Sequence, residues 1–161
     1  MRPNPDISMT MRLAVFMSDY ARCLDEGELE RWPGFFTDDC VYKVTSRENV
    51  AAGYQIGLIY ADSKGMLNDR VKSLREVNIY EEQTYRHILG LPHVAKIDPD
   101  GSLHARTGFI VARIMHTGET SIFATGSYHD KIALGDDHVA LRERIVVCDS
   151  SHIDTLLAIP L

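Results

Sequence analysis

Apolar positions recur at helical spacing in two long stretches of the first half of the chain. Leu13, Met17, Tyr20 and Leu24 make one stripe in a pattern that turns helical at Met11, and Gly27 stands where a C-cap would end it. Leu67, Val71 and Leu74 fall at i, i+4 and i+7 within YADSKGMLNDRVKSLRE (60–76), which predicts another long helix. Asp62 and Ser63 occupy its N-cap positions. Between them, ELERWPGFF predicts a short helix with Leu29, Trp32 and Phe36 on one side. The helix over 60–76 is ringed by Asp69, Arg70, Lys72, Arg75 and Glu76. Asp69 can reach Lys72 at i+3, and Lys72 can reach Glu76 at i+4. Exposed pairs of this kind contribute only about 0.3–0.5 kcal/mol each. The helix therefore reads as a solvated strut. An arginine buried against a partner's carboxylate would make it a subunit contact instead.

Strand patterns dominate after residue 76. CVYKVT (40–45) alternates briefly before that point, and VNIYEE, YRHILGL and the run from His104 to Met115 follow it. HTGE (116–119) joins that run to TSIFATGSYHDKIAL, and LGDD (134–137) leads into HVALRERIVVCD. Long antiparallel strands with tight turns predict a meander. Gly108 and Gly126 lie inside strand runs, where glycine marks a bulge or bend, so the sheet is expected to curl around the helices. Ala95 to Ser102 reads as a loop. Met1 to about Met9 reads as an arm, with Pro3 and Pro5 blocking regular structure. Helices first and strands after is the α+β pattern. The expected organisation is an arm over 1–10 and a single domain over 11–161, with no internal repeat.

Composition narrows the function classes. With 161 residues, 45% hydrophobic and 25% charged, the chain suits one soluble domain. No apolar run approaches the roughly 20 residues that span a bilayer. The N-terminus carries charge and proline where a signal peptide has its apolar segment, so a cytoplasmic location is expected. A net charge of −6 without a basic run gives no electrostatic reason to hold nucleic acid or an anionic membrane. Cys23, Cys40 and Cys148 are odd in number and dispersed, which fits reduced thiols.

None of the seven histidines forms an HxH, HxxH or HxxxH pair, and no cysteine has a Cys or His within three positions. Local spacings for zinc, a Rieske cluster or mononuclear iron are thus absent, though ligands from distant strands could still converge. Phosphate-binding glycine motifs and a GxSxG elbow are also missing. Acid–base chemistry stays open. Tyr85, His87 and Asp149 could face a pocket under a curled sheet and abstract a proton next to a carbonyl. The favoured reading is plainer: Tyr85 and His87 share a strand face by the period of two and satisfy buried hydrogen bonds.

LERWPGFFTDDCVYKVT (29–45), IYADSKGMLNDRVKSLREVNIYEEQTYRHILGLP (59–92), RIMHTGET (113–120) and RIVVCDSSHIDTLLAIPL (144–161) together resemble the small (beta) subunits of Rieske-type aromatic-ring-hydroxylating dioxygenases. Asp69-Arg70, Leu74-Arg75 and Arg86-His87 match that family's recurring marks. Within it, the similarity is greatest to systems acting on aromatic carboxylic acids: terephthalate, three-component anthranilate, 2-halobenzoate and salicylate. RIMHTGET and CDSSHIDTLLAIPL look most like the terephthalate system. The resemblance implies a cone-shaped α+β fold like that of nuclear transport factors and ketosteroid isomerases, with a strongly curved antiparallel sheet wrapped around N-terminal helices. It implies a heterohexamer of three large (alpha) and three small subunits. The large subunit would hold a Rieske 2Fe–2S cluster and a mononuclear Fe(II), with electrons from NAD(P)H through a reductase and sometimes a ferredoxin. This chain would then hold no cofactor, metal or catalytic residue, and Arg70, Arg75, Tyr80 and Arg86 would be its interface candidates. Two alternatives remain beside the scaffold subunit: a stand-alone cone-fold isomerase or dehydratase using Tyr85, His87 and Asp149, and a small-ligand binding module without chemistry.

Overall fold

Asp6 starts the first helix. Its carboxylate accepts the Ser8 N–H at 3.2 Å, and α1 runs Ile7–Asp25, ahead of the Met11 start that the stripe predicts. The extra turn has a cap but no fully buried residue, so apolar periodicity does not reveal it. The computed structural model describes residues 6–55, 57–76, 82–152 and 159–161. Residues 1–5 of the expected arm, and VNIYEE up to residue 81, lie outside the described residues.

Leu13, Met17, Tyr20 and Leu24 are all buried, as their spacing predicts. The helix closes at Glu26, and Gly27 takes φ 73°, a left-handed value open to glycine. The next segment, Leu29–Phe35, is a 3-10 turn rather than an α-helix. Pro33 lacks an N–H and cannot extend an i→i−4 ladder. Phe36 accordingly becomes the first residue of β1 (Phe36–Ser46) and stays buried with Leu29 and Trp32.

Ser46 caps a short α2 (Arg47–Ala51) by accepting the Asn49 N–H at 3.1 Å. β2 (Ile59–Ala61) leads into α3 (Lys64–Glu76), where the Ser63 hydroxyl accepts the Met66 N–H at 3.2 Å. Leu67, Val71 and Leu74 form the buried face of α3. β3 (Gln83–Leu89), β4 (His93–Ile97), β5 (Leu103–Met115), β6 (Thr120–Leu134) and β7 (Val139–Cys148) complete the chain's regular elements among the described residues. β4 takes Ala95–Ile97 out of the expected loop. The long β5 leaves an open edge at Leu103–Arg106, and a tight turn closed by Asp98 N–H to Ser102 carbonyl (2.8 Å) folds β4 back onto it.

The sheet order is β2-β1-β7-β6-β5-β3, with β4 also paired to β5. Every pairing is antiparallel except β1 with β7, which is parallel. Along β5–β6 and β6–β7 the ladder shifts between Val111 and Ala112 and between Lys131 and Ile132, not at Gly108 or Gly126. Gly126 serves a close approach instead. A Cβ there would lie 2.1 Å from the Val147 carbonyl oxygen. The curved, unclosed sheet holds α1 against β3 and α3 against β1, which makes the α+β cone. Among the described residues, no helix is long and apolar enough to cross a membrane.

Candidate functional site

Period two turns Tyr85 and His87 inward from β3. The last residue of α1 meets them there. Asp25 Oδ1 lies 2.6 Å from His87 Nδ1, and both Asp25 oxygens accept the His87 backbone N–H at 3.0 and 3.2 Å. The two side chains are 4% and 0% exposed. The other ring nitrogen, His87 Nε2, is buried without a hydrogen-bond partner among the described residues. A cavity of about 300 Å³ lies alongside, lined by Met17 and Ala21 of α1 and His87 and Leu89 of β3.

The trio of the alternative, acid–base reading does not assemble. Tyr85 stacks on Phe123 at 5.1 Å, and its ring is 6.3 Å from His87. Asp149 follows the end of β7, where its carboxylate meets Arg47 at 2.5 Å and accepts the Thr125 hydroxyl at 2.9 Å. Asp25 takes the place assigned to Asp149. A signal for it exists in the sequence: a carboxylate in the last turn of a helix opposes the helix dipole, so its position calls for a partner.

Asp130 and Arg144 face each other across β6 and β7. Arg144 Nε and Nη2 donate to Asp130 Oδ1 and Oδ2, both at 2.8 Å, and neither side chain is exposed. The guanidinium lies between the Tyr20 and Tyr128 rings, at 4.2 and 3.9 Å from their centroids. Burial works against its charge, but the Asp130 carboxylate more than offsets this and holds the Arg144 pKa above its ordinary value. Sequence reasoning passed over this pair. Asp130 shares the inward phase of Tyr128 and Ile132, and that phase was the available signal.

The remaining interior is aromatic. Trp32 Nε1–H donates to the Tyr20 hydroxyl at 2.9 Å, and Tyr20 donates to the Leu161 carbonyl at 2.9 Å. Tyr42 donates to the same carbonyl and accepts the Leu161 N–H, both at 3.1 Å. Burial raises the pKa of Tyr20 and Tyr42.

No group of three or more His, Cys, Asp or Glu among the described residues is placed to hold a metal ion. Burial pushes the Cys23 and Cys148 thiols up to about 11, so both stay protonated near neutral pH. These residues do not fit a Rieske cluster or a mononuclear iron.

Of the interface candidates, Arg70 and Arg75 lie on α3 and Arg86 on β3. Arg75 forks onto Glu30 at 2.7 and 3.0 Å and donates to the Gly27 carbonyl at 2.6 Å, tying α3 to the 3-10 turn. Arg70 is half-buried on α3, and its charge acts on Tyr42. Arg86 points outward from β3, 71% exposed and 3.9 Å from Asp25. Tyr80 lies outside the described residues.

A family model described as "Ring hydroxylating beta subunit" matches residues 20–155. The chain belongs to that family. This beta subunit is 50% identical over 151 residues to the terephthalate 1,2-dioxygenase terminal oxygenase component subunit beta 1 of Comamonas sp, covering 94% of this chain and 97% of the relative. It is 36% identical over 157 residues to the anthranilate 1,2-dioxygenase small subunit of Burkholderia cepacia, covering 97% and 96%. A solved beta subunit of a putative aromatic-ring-hydroxylating dioxygenase from Novosphingobium aromaticivorans superposes with a TM-score of 0.87 at 37% identity, covering 96% and 97%. Arg86-His87 places the inward histidine on Asp25, and Leu74-Arg75 combines a core residue with the tie to Glu30.

Proposed function

We propose that this beta subunit is the structural small subunit of an oxygenase component acting on an aromatic carboxylic acid, with terephthalate favoured. The 50% identity to the Comamonas subunit across 94% of the chain carries this reading. On it, three copies join three large subunits. Each large subunit holds the Rieske cluster and the iron and receives electrons from NAD(P)H through a reductase, with or without a ferredoxin, in the cytoplasm. Thiols held protonated fit a chain that carries no reaction of its own.

Arg86 supports a contact role. It lies outward on β3 with Ile88, opposite Ala112 and Ile110 of β5, and Ile122 of β6 faces Ala112. Ile88, Ile110 and Ile122 are all exposed, so one outward face joins a cation to an apolar patch. Arg70 and Arg75 stay in the proposed contact set on α3, as does Tyr80.

Co-expression with a candidate large subunit tests the reading. The expected result is a brown complex containing both chains, whose metal analysis finds iron in proportion to the large chain and which oxidises terephthalate when a reductase is added. Iron bound stoichiometrically by this chain alone would overturn the structural assignment, and inactivity toward terephthalate with activity on another aromatic acid would correct the substrate. A stand-alone isomerase or dehydratase draws support only from the buried His87–Asp25 pair. Turnover by the purified chain, lost in His87→Asn, would carry that second reading.

A further inference from the structure

The outward face of the sheet holds a cavity of about 570 Å³ where β2, β1 and β7 run side by side. Strand register fixes what lines it. Tyr60 pairs with Lys43, and Lys43 with Ile145, so a ring, a cation and a branched aliphatic chain lie in one row across three strands. Val41 pairs with Glu143 in the next row, which puts Glu143 diagonal to Lys43. Tyr60 is 54% exposed, and the other four are half-buried.

The cation is held in place and left without a counter-charge. A Cβ at Gly57 would lie 3.0 Å from Lys43 Cγ and 2.5 Å from the Val44 carbonyl oxygen, so only glycine lets the backbone come this close to the lysine stem. The Leu58 N–H donates to the same Val44 carbonyl at 2.7 Å and fixes that approach. Among the described residues, Lys43 and Glu143 form no ion pair, either with each other or with another side chain. The cavity thus offers one unanswered cation, one unanswered carboxylate and apolar and aromatic surface beside them.

We propose that this cavity binds an aromatic monocarboxylate carrying a ring hydroxyl or amino group. The ligand carboxylate pairs with Lys43, its ring lies against Tyr60, Val41 and Ile145, and its hydroxyl or amino group donates to Glu143. The Glu143 charge also repels a second carboxylate, so the cavity discriminates against aromatic dicarboxylates. The site goes beyond the assembly role and does not depend on it.

Titration of the full chain with para- and meta-hydroxybenzoate, followed by amide correlation spectra, tests the site. The expected result is a saturable shift of the Gly57, Tyr60 and Ile145 amides by at least one isomer at millimolar concentration, with terephthalate bound more weakly. Lys43→Met keeps the stem, removes the charge and weakens binding about tenfold, whereas Lys43→Arg retains it. Glu143→Gln narrows or reverses the preference for hydroxybenzoate over terephthalate. Failure of both isomers to shift those amides saturably in the folded chain overturns the proposal. So does binding that Lys43→Met leaves unchanged, or a parent chain that prefers terephthalate. If Lys43→Met does not fold, Glu143→Gln decides: a preference it leaves untouched refutes the site.

Discussion

Arg144 illustrates what a single residue can hide from its own sequence. Removing only this cation would leave the Asp130 carboxylate closed off from water and uncompensated, a situation that costs about 3–5 kcal/mol. Arg144→Met is therefore expected to lower the urea midpoint sharply, and Arg144→Met combined with Asp130→Leu to recover most of the loss. A single variant within about 1 kcal/mol of the parent, measured by urea denaturation, would show that the pair is worth little. Asp130 was readable as a charge in an inward strand phase, but its partner was not, because pairing requires the β6–β7 register. His87 shows the same division. Its inward direction followed from the period of two, whereas Asp25 lies 62 positions away and arrives through the packing of α1 on β3. At the surface, Asp98 accepts from Lys96 and His104, both at 2.7 Å, and lies 3.4 Å from Lys131. The Lys96 hydrogen bond, then that of His104, holds its carboxyl well below the usual carboxylate range. A depressed folded-state pKa stabilises the protein above the unfolded value of 3.8, and that contribution fades as pH falls below it. Asp98→Asn should thus lower the melting temperature at pH 6 and converge on the parent in strong acid. Parallel curves throughout would remove the linkage.

Among the elements, legibility followed length and flanking turns. The β6 limits, Thr120 and Leu134, coincide with the expected TSIFATGSYHDKIAL because HTGE and LGDD bracket it. α2 and β2 span five and three residues, too short for any period to register. The 3-10 turn kept its buried residues while changing its helix type, since Pro33 alters hydrogen bonding but not which side chains face inward. Gly108 and Gly126 read in the sequence as a bulge or bend, and the register shifts fall elsewhere, between Val111 and Ala112 and between Lys131 and Ile132. Gly126→Ala must push against the Val147 carbonyl and is expected to cost about 1–3 kcal/mol or more, the range for overpacking. At Gly108 an added Cβ meets nothing nearer than the Gly126 oxygen at 4.0 Å, so Gly108→Ala should cost less than about 1 kcal/mol. Chemical denaturation of the two variants side by side separates these expectations, and equal costs would reject the close-approach account.

At the scale of the whole molecule, composition and periodicity led to an α+β domain, while the assembly entered only through resemblance. The physical reason is that half of every subunit contact belongs to another chain. Even so, the fold ranks the candidate contacts. Charge reversal at Arg75 would break its fork with Glu30 and unsettle α3 before reaching any partner, and Arg70 is coupled to the interior through Tyr42. Among the described residues, Arg86 and its apolar neighbours carry no such internal tie beyond a 3.9 Å approach to Asp25. Ile88→Glu with Ile110→Glu places two carboxylates on the outward face of β3 and β5, where exposed side chains can change within about ±0.5 kcal/mol of stability. The isolated double variant should melt close to the parent, yet recover far less of the large subunit on co-purification, because burying two unpaired charges in an interface is strongly unfavourable. If the double variant assembles fully at nanomolar concentration on size-exclusion chromatography, the outward face of β3, β5 and β6 is solvent surface in the complex. The contacts would then have to come from α3 instead.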